Sequence, residues 1–162
     1  MLSFTHGEVD IKDIAEIVVE YLKNHADSAG NHVVIGTDSQ NFADTKVVVV
    51  IAVYTEGKGG KFFYEISRIR RIDNVQQKLH METSLSLEYA DKLMQRLSEI
   101  KHNTGYDATA HCSIGIHVDA GYKGKSGTVI PEIVGWIQAM GYDVAVKPES
   151  FVASTIADRI SK

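Results

Sequence analysis

Two aspartates each close a run of apolar residues. Asp38 follows Val33-Val34-Ile35-Gly36-Thr37, and Asp119 follows Ile114-Gly115-Ile116-His117-Val118. Short apolar runs of this kind read as buried strands. In α/β sheets, ligand sites gather beyond the carboxyl ends of strands where the strand order switches. If the two strands are parallel neighbours, their terminal carboxylates lie side by side. Such charges repel, and a divalent cation is the usual remedy. Each aspartate taken alone serves equally well as a turn residue.

A third carboxylate comes from helical phase. From about Lys78 to Ile100 the period is helical, with Leu79, Ser86, Ala90, Leu93, Leu97 and Ile100 on the inward stripe. Glu82 falls within that stripe, whereas Glu88 falls on the opposite flank with Lys92, Gln95 and Glu99. An inward carboxylate needs a partner. An arginine such as Arg68 or Arg70 meets that need as simply as a metal does. Asp158 points away from Ile156 on a final helix, and its pattern by itself reads as surface.

The elements that position these residues follow from periodicity and breakers. Ile11, Ile14, Ile17, Val18, Tyr21 and Leu22 predict a helix over Asp10–Lys23 with Asp10 as its cap, then a polar break over Ala26–Asn31. Strands are expected at His32–Thr37, Lys46–Tyr54 and Lys61–Ile72, the last carrying Arg68, Arg70 and Arg71. Their short connections make an antiparallel meander, because parallel strands need long crossovers. The Lys78–Ile100 helix follows, then a strand over Ala108–Val118, a helix over Pro131–Met140, a strand over Asp143–Lys147, and a helix over Phe151–Ser161 capped by Ser150. Strands joined through helices run parallel in one sheet. The expectation is an α/β domain over residues 1–162. Its mixed five-stranded sheet, three antiparallel strands then two parallel, is flanked by helices, and residues 1–30 form an N-terminal helical extension.

Composition sets the bounds. The chain has 162 residues and is 44% hydrophobic, enough for one core and too much for a disordered chain. Its longest apolar run, Val47–Val53, is far short of the roughly 20 residues a membrane span needs. The first residues lack a secretory pattern, and a single cysteine, Cys112, expected to be buried on its strand, suits a reducing cytoplasm. With 17 basic against 21 acidic residues the net charge is −4, so any nucleic-acid site must be a local patch.

Candidates for that patch are Lys123 and Lys125, in the loop after Asp119, and Arg68 and Arg70, alternating onto one strand face. Tyr54, Phe62, Phe63 and Tyr64 offer stacking surface or core. The segment Asp119–Ser126 imitates a nucleotide-binding phosphate loop, but Asp119 replaces its first glycine and Pro131 argues that the following helix starts late. A nucleotide-binding protein is therefore one alternative reading. A non-catalytic module that binds nucleic acid or protein is another.

Taken together, Ile35-Gly36-Thr37-Asp38-Ser39-Gln40, Glu82-Thr83 with Leu85-Ser86-Leu87-Glu88, His117-Val118-Asp119, and Lys147-Pro148-Glu149-Ser150 followed by Ala157-Asp158 resemble the bacterial YkuK group of predicted ribonuclease H-related nucleases. The resemblance implies a ribonuclease H-like fold. It also implies a centre in which Asp38, Glu82, Asp119 and Asp158 hold Mg²⁺ or Mn²⁺. Asp38 would bridge two ions, Glu82 and Asp119 would complete one site, and Asp158 the other. Ser39 and His117 would support these ligands from behind, His117 orienting a ligand or water or serving as a core histidine. The implied reaction is two-metal hydrolysis of nucleic-acid phosphodiesters.

Overall fold

The computed structural model describes residues 1–161, apart from the side chains of Ala153, Ala157, Ile160 and Ser161. Chain order is β1 (Leu2–Ser3), β2 (Gly7–Glu8), α1 (Ile11–Asn24), β3 (Asn31–Asn41), β4 (Thr45–Thr55), β5 (Gly59–Ile69), α2 (Val75–Thr104), β6 (Ser113–Val118), α3 (Ile130–Ala139), β7 (Asp143–Ala145) and α4 (Val152–Ser161). All strands join one seven-stranded sheet, in the order β2-β1-β5-β4-β3-β6-β7. The meander β3-β4-β5 is antiparallel, and β6 and β7 add parallel to β3, as the connection lengths require.

The sheet has seven strands rather than the expected five, because β1 and β2 pair antiparallel and extend the β5 edge. Two-residue strands are too short to show a period. Residues 1–30 are also more than an extension. Ile14, Ala15, Val18 and Leu22 of α1 are fully buried, in one cluster with Val33, Ile35, Val49 and Ile51 of the sheet and Leu93 of α2. Asp10 caps α1 as its position predicts, accepting from the Asp13 N–H at 2.8 Å.

Faces follow from alternation, since cross-strand partners share a face. Val33, Ile35, Val47, Val49 and Phe63 point toward α1, α2 and α3, while Val34, Val48, Val50 and Ala52 point toward Val152 and Ile156 of α4. Several boundaries move. The expected Ala108–Val118 strand begins only at Ser113, after a 3-10 turn at Ala108–Ala110. That shift leaves Cys112 half-buried before β6, with its thiol donating to the Ala108 carbonyl. Helix α2 starts one turn earlier than expected, capped by Asn74, which accepts from the Gln77 N–H at 3.0 Å. Among the described residues, no helix is long and apolar enough to cross a membrane.

Candidate metal centre

The parallel ladder between β3 and β6 ends at Thr37↔Val118, so the next residue on each strand is an aspartate. Asp38 is not the end of its strand. The chain stays paired with β4 as far as Asn41↔Thr45, which fixes Asp38 opposite Val48. Asp119 instead opens the loop where β6 stops. Alternation turns both toward the α4 face, close enough for the Asp119 charge to act on Asp38.

Electrostatics follow from that crowding. Burial, then the Asp119 charge, push Asp38 up to about 6 from its ordinary 3.8, against the Ser39 N–H and Lys147. The Ser39 N–H donates to Asp38 Oδ1 at 2.9 Å. Two turns into α2, Glu82 is pushed up to about 8, chiefly by burial, with Asp38 and Asp119 adding to the effect. Its Oε1 accepts a hydrogen bond from the Ser39 hydroxyl. Helical phase placed Glu82 inward and Glu88 outward, and the structure shows the same. Glu88 is exposed and pairs with Lys92 at 3.2 Å. Among the described residues neither arginine considered for Glu82 reaches it: Arg68 pairs with Asp44 at 2.8 Å, and Arg70 is exposed beyond the end of β5. A buried hydrogen bond of 2.8 Å between Thr37 and Ser86, one turn along α2 from Glu82, fixes the helix against β3.

Asp38, Ser39, Glu82 and Asp119 line one open pocket of about 230 Å³, with Lys78, Leu79, Ala120 and Ser126. Lys78 enters this pocket because it lies four residues before Glu82 and so shares its face of α2. Lys147 joins from the other side, its Nζ 3.1 Å from Asp119 Oδ1. Sequence reasoning assigned no role to either lysine. Lys78 shares a face with Glu82 by its i, i+4 spacing, whereas the place of Lys147 depends on the β6–β7 register, which does not show in local pattern.

Asp158 is exposed on α4 and, among the described residues, forms no hydrogen bond or ion pair. Ser154, one turn before it, lines a crevice with His117, Asp119, Ser150 and Phe151. His117 lies half-buried on the α4 face and accepts at Nδ1 from the N–H groups of Phe151 (3.2 Å) and Val152 (3.4 Å). That makes the imidazole, rather than Ser150, the cap of α4. Ser150 Oγ is buried without a hydrogen-bond partner. Burial, with a lesser effect of His32, draws His117 down to about 4, which keeps the accepting lone pair free.

The basic candidates divide. Lys123 and Lys125 are exposed in the loop between β6 and α3, and no helix begins until Ile130, so the strand-loop-helix cradle of a phosphate loop is not formed. Arg68 shares the Asp38 face through the row Gln40–Lys46–Arg68, two strands across, or roughly 10 Å at ordinary strand spacing. Arg70 lies exposed just beyond the end of β5. Phe63 is core, while Tyr54, Phe62 and Tyr64 are half-buried on the α4 face.

Chemically, Asp38 and Asp119 offer paired hard oxygens. Among the described residues, no three His, Cys, Asp or Glu side chains enclose a common point as they stand. Glu82 is turned to Ser39. Mg²⁺ asks for less than a full protein cage: one or two carboxylates, waters and substrate phosphate suffice. Asp119 Oδ1, buried without an aligned hydrogen bond, faces the Lys147 ammonium, which leaves the second Asp119 oxygen and the Asp38 carboxyl to an ion. The residues fit such an ion.

A model of the ribonuclease H-like family matches residues 13–162. The protein YkuK of Bacillus subtilis (strain 168) is 28% identical over 170 residues, covering 99% of this chain and 95% of that protein. Two structures of the Mos1 transposase catalytic domain with Raltegravir, one with Mn and one with Mg, align at TM-scores of 0.36 and 0.31 with 10% and 9% identity. They cover 96% of this chain and 75% and 76% of theirs, and likenesses that faint carry no argument about chemistry.

Proposed function

The chain belongs to the ribonuclease H-like family, on its YkuK-type branch, and on that premise we propose that it is a nuclease that hydrolyses nucleic-acid phosphodiester bonds with Mg²⁺ or Mn²⁺. The observation that carries the reading is the meeting of Asp38 and Asp119 at the end of the β3–β6 ladder, with Glu82 in the same pocket. Burial and mutual repulsion raise Asp38, a cost that a bound cation relieves.

Asp38 and Asp119 would hold the ion, and Glu82 would join them by leaving the Ser39 hydroxyl. In the full arrangement implied by the family resemblance, Asp158 serves a second ion from α4. A bound divalent ion supplies Lewis acidity and an acidified water. Hydrolysis would join a water oxygen to phosphorus and break the bond to the leaving oxygen, with solvent taking one proton and returning one to the leaving group, while Asp38, Asp119 and Glu82 would hold the ion in place. Lys123 and Lys125 on the loop, with Arg68 and Arg70 on the β5 side, would hold the flanking phosphates. His117 orients the start of α4, and Ser39 positions the Asp38 and Glu82 carboxylates. A cytoplasmic setting belongs to the same reading, from the single cysteine.

The test is cleavage of end-labelled single-stranded DNA, duplex DNA, RNA and hybrid in Mn²⁺, alongside calorimetric Mn²⁺ binding. Asp38→Asn and Asp119→Asn should each abolish both signals while the fold is kept. Wild-type metal affinity in both variants overturns the reading. Metal binding without cleavage of any of these nucleic acids favours a non-catalytic member of the fold.

A further inference from the structure

We infer that the ammonium group of Lys147 is a built-in cation of this centre, so that the centre takes a single divalent ion rather than two. The inference rests on the metal-dependent reading above and deepens it.

Strand register puts Lys147 there. The β6–β7 ladder ends at His117↔Ala145, and two residues further along the parallel strands are Asp119 and Lys147. Asp38 on β3, Asp119 just past the end of β6 and Lys147 just past the end of β7 thus continue one row, on the side that carries α4. The backbone holds that position from two directions. The Lys147 N–H donates to the Ala120 carbonyl at 2.9 Å. At Gly121 an added Cβ would stand only 3.2 Å from both Cβ and the carbonyl oxygen of Lys147, so the lack of a side chain there permits the close approach. The backbone hydrogen bond and the packed turn fix where the lysine's Cβ stands, and from there its side chain, 57% exposed, reaches across to the carboxylate.

The ammonium lies 3.1 Å from Asp119 Oδ1, an oxygen that is buried and has no aligned hydrogen bond, so the cation's field is what stabilises it. A carboxylate has two oxygens. With Oδ1 facing Lys147, the other remains for an ion shared with Asp38. The carboxylate that a second ion would need, Asp158, stands exposed without a hydrogen bond or ion pair among the described residues. An ammonium carries three donors and no acceptor, so it can grip a phosphate oxygen and spread its charge but cannot activate water. Water activation is thereby left to the single ion, and charge neutralisation is divided between that ion and the lysine.

The test is titration of the full chain with MnCl₂, by calorimetry and by Mn²⁺ electron paramagnetic resonance, for wild type, Lys147→Met and Lys147→Arg. Circular dichroism confirms the fold of each. Wild type and Lys147→Arg should bind one Mn²⁺ per chain. Lys147→Met, with an uncompensated Asp119, should bind Mn²⁺ about threefold to tenfold more tightly or take up a second ion, the effect of removing a unit charge at this range from a solvent-screened position. It should also bind a non-cleaved oligonucleotide in Ca²⁺ more weakly, with rescue by Lys147→Arg. Two ions bound by wild type, or Mn²⁺ binding unchanged in Lys147→Met, overturns the inference and leaves the nuclease reading standing. No Mn²⁺ bound by any of the three proteins overturns both.

Discussion

His117 caps the helix that begins at Val152: its Nδ1 accepts the Phe151 N–H at 3.2 Å, and its ring meets the Phe151 ring edge-on at 5.1 Å. The strand that delivers Asp119 thereby also anchors the helix that carries Asp158. Ring contact and hydrogen bond can be separated. His117→Phe keeps an aromatic ring against Phe151 and removes the acceptor. Loss of a helix cap costs about 1 kcal/mol, and chemical denaturation should show that loss, with amide exchange quickened at the start of α4. Unchanged stability would mean that the ring contact alone holds the helix.

Glu82 and Glu88 sit on one helix and should separate cleanly. Glu82→Gln keeps shape and the capacity to accept from Ser39, but removes the charge an ion needs. It should lower Mn²⁺ affinity and any metal-dependent cleavage by a large factor, with the fold retained. Glu88→Gln removes only an exposed pair with Lys92 and should change stability by less than about 0.5 kcal/mol. Activity lost in Glu88→Gln and kept in Glu82→Gln would sink the proposed centre.

Stability of the metal-free protein should carry two opposed pH effects. Glu82 and Asp38 have raised folded values, about 8 and about 6, so the native state binds more protons than the unfolded chain above pH ~4. Their contribution is favourable at low pH and is lost as pH rises through those values. His117 is the reverse: drawn down to about 4, it costs stability as pH falls below its unfolded value of ~6.5. Differences in Tm between wild type and each variant isolate the two. Glu82→Gln should gain on wild type as pH rises from 4.5 to 8, and His117→Phe should close its deficit as pH falls from ~6.5 toward ~4. Parallel Tm curves would refute both assignments.

Lys125→Ala should weaken nucleic-acid binding and lower the slope of log K against log salt by roughly 0.7–0.9, the share of one phosphate contact. No ATP affinity should be there to lose, because the loop around Lys125 is followed by turns rather than by a helix N-terminus. Lys125-dependent ATP binding would revive the nucleotide reading.

Where one face of an element is buried, the sequence was easy to read. The stripe from Leu79 to Leu97 gives the long helix and the inward Glu82, because burial of one face imposes a period, while the unbroken β-branched run Val47–Val53, buried on both faces, reads as a central strand. The pairing of β3 with β6, hence of Asp38 with Asp119, followed from connection length. What escaped depends on distant partners. β1 and β2 are strands only because β5 offers them an edge. Ser150 has the composition of a cap, yet His117, distant in sequence, does the capping. Lys147 looks like any strand-end lysine until the β6–β7 register sets it beside Asp119. Asp158 carries no periodic signal, and its proposed role came through resemblance alone.

The parting of β3 from β6 after Thr37 has a consequence for amide exchange. Val33 to Ile35 are flanked by strands on both sides, whereas Ser39 has lost its β6 neighbour, and its N–H is taken by the carboxylate of Asp38. Protection of that one proton therefore depends on a side chain rather than on a ladder. Whatever draws the Asp38 carboxylate outward releases the Ser39 amide to solvent, while the amides a few residues upstream stay locked. The centre thus carries its own single-residue reporter, by which occupancy can be followed in the absence of any substrate.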